Sequence, residues 1–405
     1  MSFVVLITSA TATRLLATAV IIGLIYVLYI AILGPLHDIP GPWHTKFTIF
    51  GLKYKTLTGK RCFWVHELHL KYGPVVRISP NEVDVSDYDA FREIHRIGNG
   101  FLKSNWYTLF TPGIEDNIFA MTDTHKHAAP RRLLARPFSK SSLLEHFQPL
   151  VKDRAQLAVS KIKEDALTGN CDMFKWWTLM TTDVIAEVAF GERTSLLEAG
   201  TKTQYIDDLD KMIQASGIRA EGPVIYYLLR LAGSRLMAES DAIISRVRTY
   251  GLTAARRAKK AGLHPHNAIN GMIQASDAKD SHLTDSTLGS QASALIIAGS
   301  GTTAVTLTYA VWAILSRPSM RSRLEAELGH LDDDYDDLAL EKLPYLNAVV
   351  DETLRLYGAA PGALPRIVPS KGLRVQDFFI QPQTTVTTQA YSMHRDPQYF
   401  RDPET

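Results

Sequence analysis

The sequence predicts a mainly helical protein with small β-sheets, preceded by one N-terminal transmembrane helix. Three observations support this fold class. An uncharged apolar run lies near the start, apolar residues recur at helical spacing over much of the chain, and two short stretches are rich in β-branched residues. With 405 residues, of which 46% are hydrophobic, the chain can bury a sizeable core. We therefore expect a globular protein.

Charge and cysteine content exclude several classes of protein. The net charge is only +2, and no basic stripe with interleaved aromatic residues occurs, so we expect no nucleic-acid partner. The two cysteines, Cys62 and Cys171, lie far apart and have no zinc-site spacing, which excludes a disulfide framework. No asparagine stands in an N-x-S/T motif, and this weakly favours a chain whose bulk faces a reducing compartment.

The first element is the apolar run, residues 15–33, which carries no charge and covers about 28 Å as a helix, close to the thickness of a bilayer core. Only Arg14 precedes it, and five basic residues follow it, namely Lys46, Lys53, Lys55, Lys60 and Arg61. The positive-inside rule then places the C-terminal bulk in the cytosol. A cleaved signal peptide is the weaker alternative, because no small-residue cleavage site follows. We predict a membrane anchor at 1–34, an extended proline-rich arm at 35–45 and one domain at 46–405.

The next elements are mixed. Residues 72–87 hold two β-branched runs around Pro80 and predict a hairpin, and a second β-rich stretch covers 373–388. Between them the pattern is helical. Residues 324–356 predict two helices around the sequence "LEKLPYLN".

The longest predicted helix begins with Thr284 or Asp285 as its N-cap and ends before Pro318, a length of about 45 Å. Its centre reads "AGSGTT", although glycine, serine and threonine all weaken a helix interior. Residues 292–315 carry no charge, so a second membrane span is an alternative. The serine, threonine and glycine content favours a core helix that is buried on all sides.

Four ordered motifs then resemble a known family. The "ETLR" motif, Glu352–Arg355, closes "LPYLNAVVDETLRLYGAAPGALPR"; the "AGSGTT" helix lies upstream and "YSMHRDPQYFRDPE" downstream. Behind an anchor and a proline-rich arm, this order resembles the cytochromes P450, specifically the membrane-anchored fungal kind, over essentially the whole chain. The resemblance implies the P450 fold and a haem-thiolate monooxygenase. Such an enzyme oxidises a lipophilic small molecule of secondary metabolism with O2 and electrons from NADPH-cytochrome P450 reductase.

The resemblance also implies roles for the long helix. In the family, the helix above the haem opens locally at small residues, and a threonine hydroxyl donates to bound oxygen or relays protons. Thr302 matches that catalytic threonine, and Ala298 and Gly299 match positions next to the cofactor. Gly301 stands where the family commonly has an acidic residue, so water would have to deliver the proton.

Further residues match the family's cofactor and core positions. His127, Arg131 and Arg366 match residues that hold the propionates of heme b. Glu352 and Arg355 match a buried pair that locks the core. By the same resemblance, His394 is a structural residue, Arg132 and Arg136 receive the reductase, and the substrate pocket is lined by the segments 101–119, 294–298 and 358–364.

The family's thiolate loop, Phe-x-x-Gly-x-x-x-Cys, does not occur in the sequence, and neither Cys62 nor Cys171 has its glycine-rich frame. We therefore expect no metal ligand within these residues, a sequence truncated before the axial cysteine, and no catalysis by the chain as it stands. Two hypotheses stay open. One is a P450 monooxygenase, anchored by a single pass in the endoplasmic reticulum membrane with its bulk in the cytosol; the other is an inactive remnant that acts at most as a membrane-tethered binding or interaction protein.

Overall fold

The computed structural model describes residues 2–111, 114, 116–260, 266–276, 284–332 and 334–404. Its contacts divide the chain into two compact units. We call Met1–Ser104 with Gly362–Pro403 the sheet unit, and Asn105–Pro361 the helical unit. The predicted domain boundaries, at 34/35 and 45/46, both fall inside the sheet unit and stay predictions.

The described residues contain nineteen α-helices, which differ widely in length. In chain order they are α1 (Ser2–Ile32), α2 (Phe50–Leu57), α3 (Arg61–Tyr72), α4 (Tyr88–His95), α5 (Trp106–Phe110), α6 (Thr124–Ala135), α7 (Lys140–His146), α8 (Gln148–Ala166), α9 (Met173–Phe190), α10 (Leu196–Ala199), α11 (Gln204–Glu221), α12 (Pro223–Leu231), α13 (Arg235–Lys260), α14 (Asn270–Ser276), α15 (Asp285–Leu315), α16 (Pro318–Leu328), α17 (Asp337–Glu341), α18 (Pro344–Tyr357) and α19 (Ala390–Met393).

Seven strands lie within the described part of the sheet unit. They are β1 (Val75–Ser79), β2 (Glu82–Val85), β3 (Leu102–Lys103), β4 (Arg366–Ile367), β5 (Leu373–Val375), β6 (Phe378–Ile380) and β7 (Thr385–Thr387). Five of them form one sheet in the order β1-β2-β7-β4-β3, and β5 pairs with β6. The mainly helical class with small sheets and the hairpin at 72–87 are thereby confirmed, since β1 and β2 pair antiparallel from Val75 opposite Val85.

A buried polar network ties three elements of the sheet unit together. His69 of α3 contacts Asp84 of β2 through Nε2 and Oδ1 at 2.8 Å, and Thr387 of β7 donates to the other carboxylate oxygen at 2.5 Å. The second ring nitrogen of His69 lies 2.9 Å from the carbonyl oxygen of Gly73. Because both partners of the ring are acceptors, the doubly protonated imidazolium satisfies this geometry best. Although burial alone would lower the pKa of His69, the hydrogen bond and charge of Asp84 raise it above 6.5.

The arm after α1 is not the extended segment that its prolines predict. Residues 33–38 form turns, in which the N–H of His37 donates to the carbonyl of Gly34, and only 40–42 are free of turn structure. Leu36 and Ile39 are buried in the core beside the sheet. Fully buried Arg77 of β1 fixes the arm, because its guanidinium donates to the carbonyl of Leu36 at 3.1 Å and to that of Pro80 at 2.9 Å. Apolar burial and this cation outweigh the preference of isolated prolines for an extended chain.

Helix α15 is the central element of the helical unit and packs against α9, α13 and α18. Thr284 is its N-cap, as predicted, and accepts from the N–H of Thr287 at 3.1 Å. A methyl group on Gly289 would lie 2.9 Å from Leu252 of α13, so this glycine lets the two helices approach closely. Two described helices, α1 over Arg14–Ile32 and α15, are long and apolar enough to cross a membrane. The packing of α15 on three neighbours favours the core-helix alternative.

The region 324–356 contains more helix than expected. Instead of two helices, α16, α17 and α18 follow one another, because Asp336 caps a short extra helix by accepting from the N–H of Ala339 at 2.7 Å. Glu327 of α16 accepts from the backbone N–H groups of Tyr345 and Leu346 at 2.9 and 2.8 Å. This carboxylate caps the N-terminus of α18 and holds α16 against it.

Candidate active site

The predicted oxygen-handling residues lie on an exposed face of α15. Ala298 and Thr302 are both exposed and stand one helical turn apart. The hydroxyl of Thr302 donates to the carbonyl of Ala298 at 2.7 Å, and that of Ser300 donates to Ile296 at 2.8 Å. The helix is continuous from Asp285 to Leu315, so the local opening expected from the resemblance is not present. The hydroxyls bond carbonyls one turn back, which the helix accommodates without breaking.

The two glycines of the "AGSGTT" run have different surroundings. A methyl group on Gly299 would lie 2.6 Å from Cγ1 of Ile185 on α9, so the close packing of two helices accounts for this glycine. A methyl group on Gly301 would have no atom within 4 Å. The role of Gly299 beside a cofactor stays a prediction, and only Gly301 has open space next to it.

His127 and Arg131 lie one turn apart on α6, as their spacing predicts. Asp123 caps this helix by accepting from the N–H of His125 at 2.8 Å. Arg131 is exposed, and within the described residues its guanidinium has neither an ion pair nor a hydrogen bond. The helix therefore presents an uncompensated cation that a carboxylate could bind.

Arg366 stands on β4 in the sheet unit. Its Nε is buried and has no hydrogen-bond partner among the residues that the structure describes. The neighbouring His95 bonds Thr388 at 2.9 Å, and burial together with the charge of Arg366 lowers the pKa of His95 to about 4. His95 is therefore neutral at pH 7, and the open N–H of Arg366 calls for an anionic acceptor.

The family's cofactor is haem, and these residues fit its carboxylate side chains. Exposed Arg131 has no ion pair or hydrogen bond among the described residues, and the buried Nε of Arg366 has no hydrogen-bond partner there; two propionates need such cations. Arg131 and half-buried His127 belong to the helical unit and Arg366 to the sheet unit, so a shared role of the three residues toward one haem stays a prediction. Over the described chain, no group of three His, Cys, Asp or Glu side chains is arranged to hold a metal ion.

Neither cysteine has the properties of a thiolate ligand. Burial raises the pKa of Cys62, and burial together with Asp165 and Asp172 raises that of Cys171. The thiol of Cys171 lies 3.7 Å from the carbonyl of Ile162 as a weak donor. Neither cysteine therefore shows the lowered pKa that is typical of a reactive thiolate.

Glu352 and Arg355 form the predicted ion pair on α18. Nε and one Nη of Arg355 each donate to a different carboxylate oxygen at 2.6 Å, which makes the contact bidentate. Arg355 is buried, but the side chain of Glu352 is 46% exposed, so the pair is only half buried.

The predicted pocket segment 101–119 contains an aromatic cluster of four residues. The rings of Trp106 and Phe110 stack at 4.8 Å, and Phe119 lies within 5.1 Å of Tyr107 and 6.2 Å of Phe110. Pro112, Gly113 and Glu115 lie outside the described residues, and the segment 358–364 is divided between the two units.

Two anchors of this segment were missed by the sequence analysis. The side-chain amide of Gln291, on α15, donates to the carbonyl of Asp116 and accepts from the N–H of Ile118, both at 3.2 Å. The indole N–H of Trp106 donates to Glu221 of α11 at 2.8 Å. The available signal for the first anchor was a glutamine at the start of the long uncharged part of this helix.

The structure shows the remaining predicted residues only in their local surroundings. His394 follows α19, where its N–H donates to the carbonyl of Ala390 at 2.8 Å and its ring lies 6.5 Å from that of Phe400. Arg132 and Arg136 are exposed at the end of α6. Their roles stay predictions.

Comparison with known proteins agrees with the resemblance read from the motifs. A family model described as "Cytochrome P450" matches residues 40–405. The chain is 40% identical over 383 residues to cytochrome P450 monooxygenase stcB of Emericella nidulans, which covers 93% of this chain and 73% of that protein. It is 35% identical over 396 residues to cytochrome P450 monooxygenase cypX of Dothistroma septosporum, with 96% and 78% covered.

A third relative carries a more informative name. Methylphloroacetophenone oxidase of Cladonia uncialis is 31% identical over 383 residues, covering 91% of this chain and 84% of that protein. The family model spans nearly the whole chain, and the three matches cover most of the length of each relative. The chain therefore belongs to the cytochrome P450 family of monooxygenases.

Proposed function

We propose that the protein is a haem-dependent monooxygenase that oxidises a lipophilic aromatic molecule of fungal secondary metabolism with O2. The observation that carries this proposal is the exposed face of α15, where the hydroxyl of Thr302 stands beside small Ala298. When bound, haem would supply the activation of O2. The polypeptide then has to position the substrate and deliver protons.

Thr302 is the proton-handling group of this proposal. Its hydroxyl donates to the carbonyl of Ala298, and rotation about its χ1 angle would free it to donate elsewhere. Open space at Gly301 leaves room for water next to the hydroxyl. A water molecule there could return a proton to Oγ1 after Thr302 has given one up, so no acidic side chain is needed at position 301.

Thr302→Ala tests this role, because it removes the hydroxyl without changing the helix. The variants are compared in the chain fused to the segment that follows the matched region in stcB, with reductase and NADPH. We expect the alanine variant to bind haem but to release at least several-fold more peroxide per NADPH. Thr308→Ala is the matched control, since its hydroxyl also bonds a carbonyl one turn back, at 2.8 Å. Equal peroxide yields in all three proteins would assign Thr302 to helix packing alone.

An aromatic substrate is supported by two independent features. The cluster around Phe119 offers ring faces and edges for a planar molecule. One relative is named as an oxidase of methylphloroacetophenone, a phenolic ketone. We therefore favour a phenolic ketone or a related planar molecule for this chain.

The proposed partners follow from charge and hydropathy. Helix α1 would anchor the protein in the endoplasmic reticulum membrane by a single pass, with the basic residues after it on the cytosolic side. Exposed Arg132 and Arg136 would receive an acidic NADPH-cytochrome P450 reductase. The propionates of heme b would be held by His127, Arg131 and Arg366.

A membrane-tethered binding protein without catalysis is the second candidate. It is favoured for a polypeptide of residues 1–405 because neither Cys62 nor Cys171 stands in the family's Phe-x-x-Gly-x-x-x-Cys frame. Such a polypeptide should show no thiolate-type Soret band in its reduced carbon monoxide complex. Cys62→Ala and Cys171→Ala should leave that spectrum unchanged. A thiolate band that either substitution abolishes would assign that cysteine as the iron ligand.

A further inference from the structure

A cavity of about 190 Å³ lies among α11, α12 and α13 of the helical unit. Apolar side chains form most of its wall, including Ala215 and Ile218 of α11 and Met237 and Ile243 of α13. Met237 and Ile243 are buried. The volume exceeds the roughly 150 Å³ of an engineered apolar cavity that binds benzene, so a molecule of up to about eleven heavy atoms would fit.

One wall residue, Ser240 of α13, is polar and unsatisfied. Ser240 is 5% exposed, and within the described chain its buried hydroxyl has no hydrogen-bond partner. Other hydroxyls on the same helix do bond carbonyls one turn back, as Thr249 and Thr253 do at 2.8 Å. Leaving a buried hydroxyl unpaired is unfavourable, so an occupant with a matching oxygen gains that contact.

The other polar side chains of the wall either form a hydrogen bond already or lie at the edge of the cavity. The hydroxyl of Tyr226 lies 3.4 Å from the carboxylate of Asp241, to which it donates. Lys211, Gln214 and Glu239 are exposed and line the cavity rim. The hydrogen-bonding character of the interior therefore comes from Ser240.

Helix α12 covers one side of this cavity and is apolar on its outer surface. Tyr226 points inward and is buried, but Val224, Leu228 and Leu231 are exposed. Gly222 and Gly233 flank the helix, and Gly233 has a φ of +69°, which favours glycine. The protein surface formed by α12 beside the cavity is therefore apolar, which would favour the approach of apolar molecules.

We propose that this cavity binds a small apolar molecule with one hydroxyl or carbonyl oxygen, which forms a hydrogen bond with Oγ of Ser240. None of the wall residues is among those assigned above to haem, oxygen or the reductase. The site is therefore a second ligand site that goes beyond the proposed oxidation. A flat phenol and a linear alcohol from a membrane both combine an apolar body with one hydroxyl group, so either could be this ligand.

The test uses the full chain in lipid nanodiscs with [methyl-13C]methionine, because Met237 is a probe inside the wall. Its resonance is assigned with Met237→Leu. We expect 2-naphthol to shift this resonance and to bind about 5- to 10-fold more tightly than 2-methylnaphthalene, which has the same shape without the hydroxyl. Ser240→Ala should abolish that preference and leave the affinity for 2-methylnaphthalene unchanged.

Ser245→Ala is the matched control, since Ser245 is exposed on the same helix, and it should keep the preference. Ala215→Phe should block both probes by filling the cavity. Displacement of 2-naphthol by 1-octanol supports the site and extends it to linear alcohols, whereas binding of 2-naphthol without such displacement supports a site for flat molecules. An unshifted Met237 resonance at saturating 2-naphthol, or a preference that persists in Ser240→Ala, would overturn the proposal.

Discussion

The ion pair between Glu352 and Arg355 joins a buried cation to a half-exposed carboxylate. Arg355 is 8% exposed and Glu352 46% exposed, although their contact is bidentate. The hydrogen bond from Arg355, working against burial, holds the pKa of Glu352 below its ordinary value of 4.5. The guanidinium therefore depends on this carboxylate more than the carboxylate depends on the guanidinium.

We expect Glu352→Gln to lower the free energy of unfolding by about 1–2 kcal/mol, because the buried cation then loses the charge of its bidentate acceptor. Denaturant titration of the full chain in detergent measures this. The control is Glu325→Gln, in the exposed pair with Arg321 at 2.7 Å, which should cost about 0.3–0.5 kcal/mol. Equal losses in the two variants would contradict a special role for Glu352.

The same pair predicts a pH dependence. A carboxyl group whose pKa is lower in the folded state stabilises the protein fully above its unfolded value and loses this effect as the pH falls through the folded value. The difference between the native chain and Glu352→Gln should therefore be constant above about pH 4.5 and shrink below it. A difference that grows in acid would contradict this sign.

At the scale of elements, the contact between α15 and α9 gives different environments to two glycines that look equivalent in the sequence. Gly299 faces Ile185, whereas Gly301 faces open space. The hydroxyl of Thr181 on α9 also donates to the carbonyl of Ser300 at 2.9 Å, so the two helices are joined at this level. The packing of the two helices requires glycine at position 299, whereas no packing contact requires it at position 301.

Gly299→Ala should lower the free energy of unfolding by about 1–3 kcal/mol through overpacking against Ile185. Gly301→Ala should raise it by up to about 1 kcal/mol, because alanine is the better helix former and nothing obstructs its methyl group. Thermal unfolding of the two variants, side by side, checks both signs. Destabilisation of similar size at both positions would show that the groove beside Gly301 is not open.

How far the sequence predicts an element depends on how local its causes are. The N-cap Thr284, the hairpin around Pro80 and the one-turn spacing of His127 and Arg131 on one helix depend on neighbours within a few residues, and all three are found in the structure. The parallel pairing of β2 with β7 joins Glu82 to Thr385, and no local pattern indicates it. Packing between distant elements is not encoded in periodicity.

The site shows the same division. The positions of Thr302 and Arg355 followed from motifs, but the packing role of Gly299 requires knowledge of Ile185, 114 positions earlier in the chain. The anchor from Gln291 to the segment at Asp116 and Ile118 is equally non-local. Family resemblance predicted a local opening in α15, whereas the structure has a continuous helix there, in which the hydroxyls of Ser300 and Thr302 bond carbonyls one turn back.

At the scale of the whole molecule, the sheet unit carries two apolar surfaces suited to a bilayer. Helix α1 contains the 19-residue span Arg14–Ile32. Helix α2 exposes Phe50, Tyr54 and Leu57 on one face, with Lys53 and Lys55 beside them. An apolar face with flanking lysines is typical of a helix that lies in the headgroup region.

We predict that the full chain stays in the membrane pellet after alkaline carbonate extraction, whereas a form without residues 1–33 is extracted but still binds vesicles that contain anionic lipid. In that form, replacing Phe50, Tyr54 and Leu57 by serine should release it from the vesicles. Leu70→Ser, at an exposed apolar position on α3, is the control and should not. Extraction of the full chain, or protection of the region after Pro42 from protease added to intact microsomes, would contradict the topology.

The fixed arm after α1 changes how the anchor works. A flexible linker would let the sheet unit rotate freely relative to α1, and the distance that the linker spans would grow with its number of residues. Here Arg77 holds the carbonyl of Leu36, and its own N–H donates to that of Pro40 at 2.7 Å, so the connection has few rotational degrees of freedom. The anchor is thus rigidly connected to the sheet unit. The tilt of α1 in the bilayer should therefore set the angle between the sheet unit and the membrane surface.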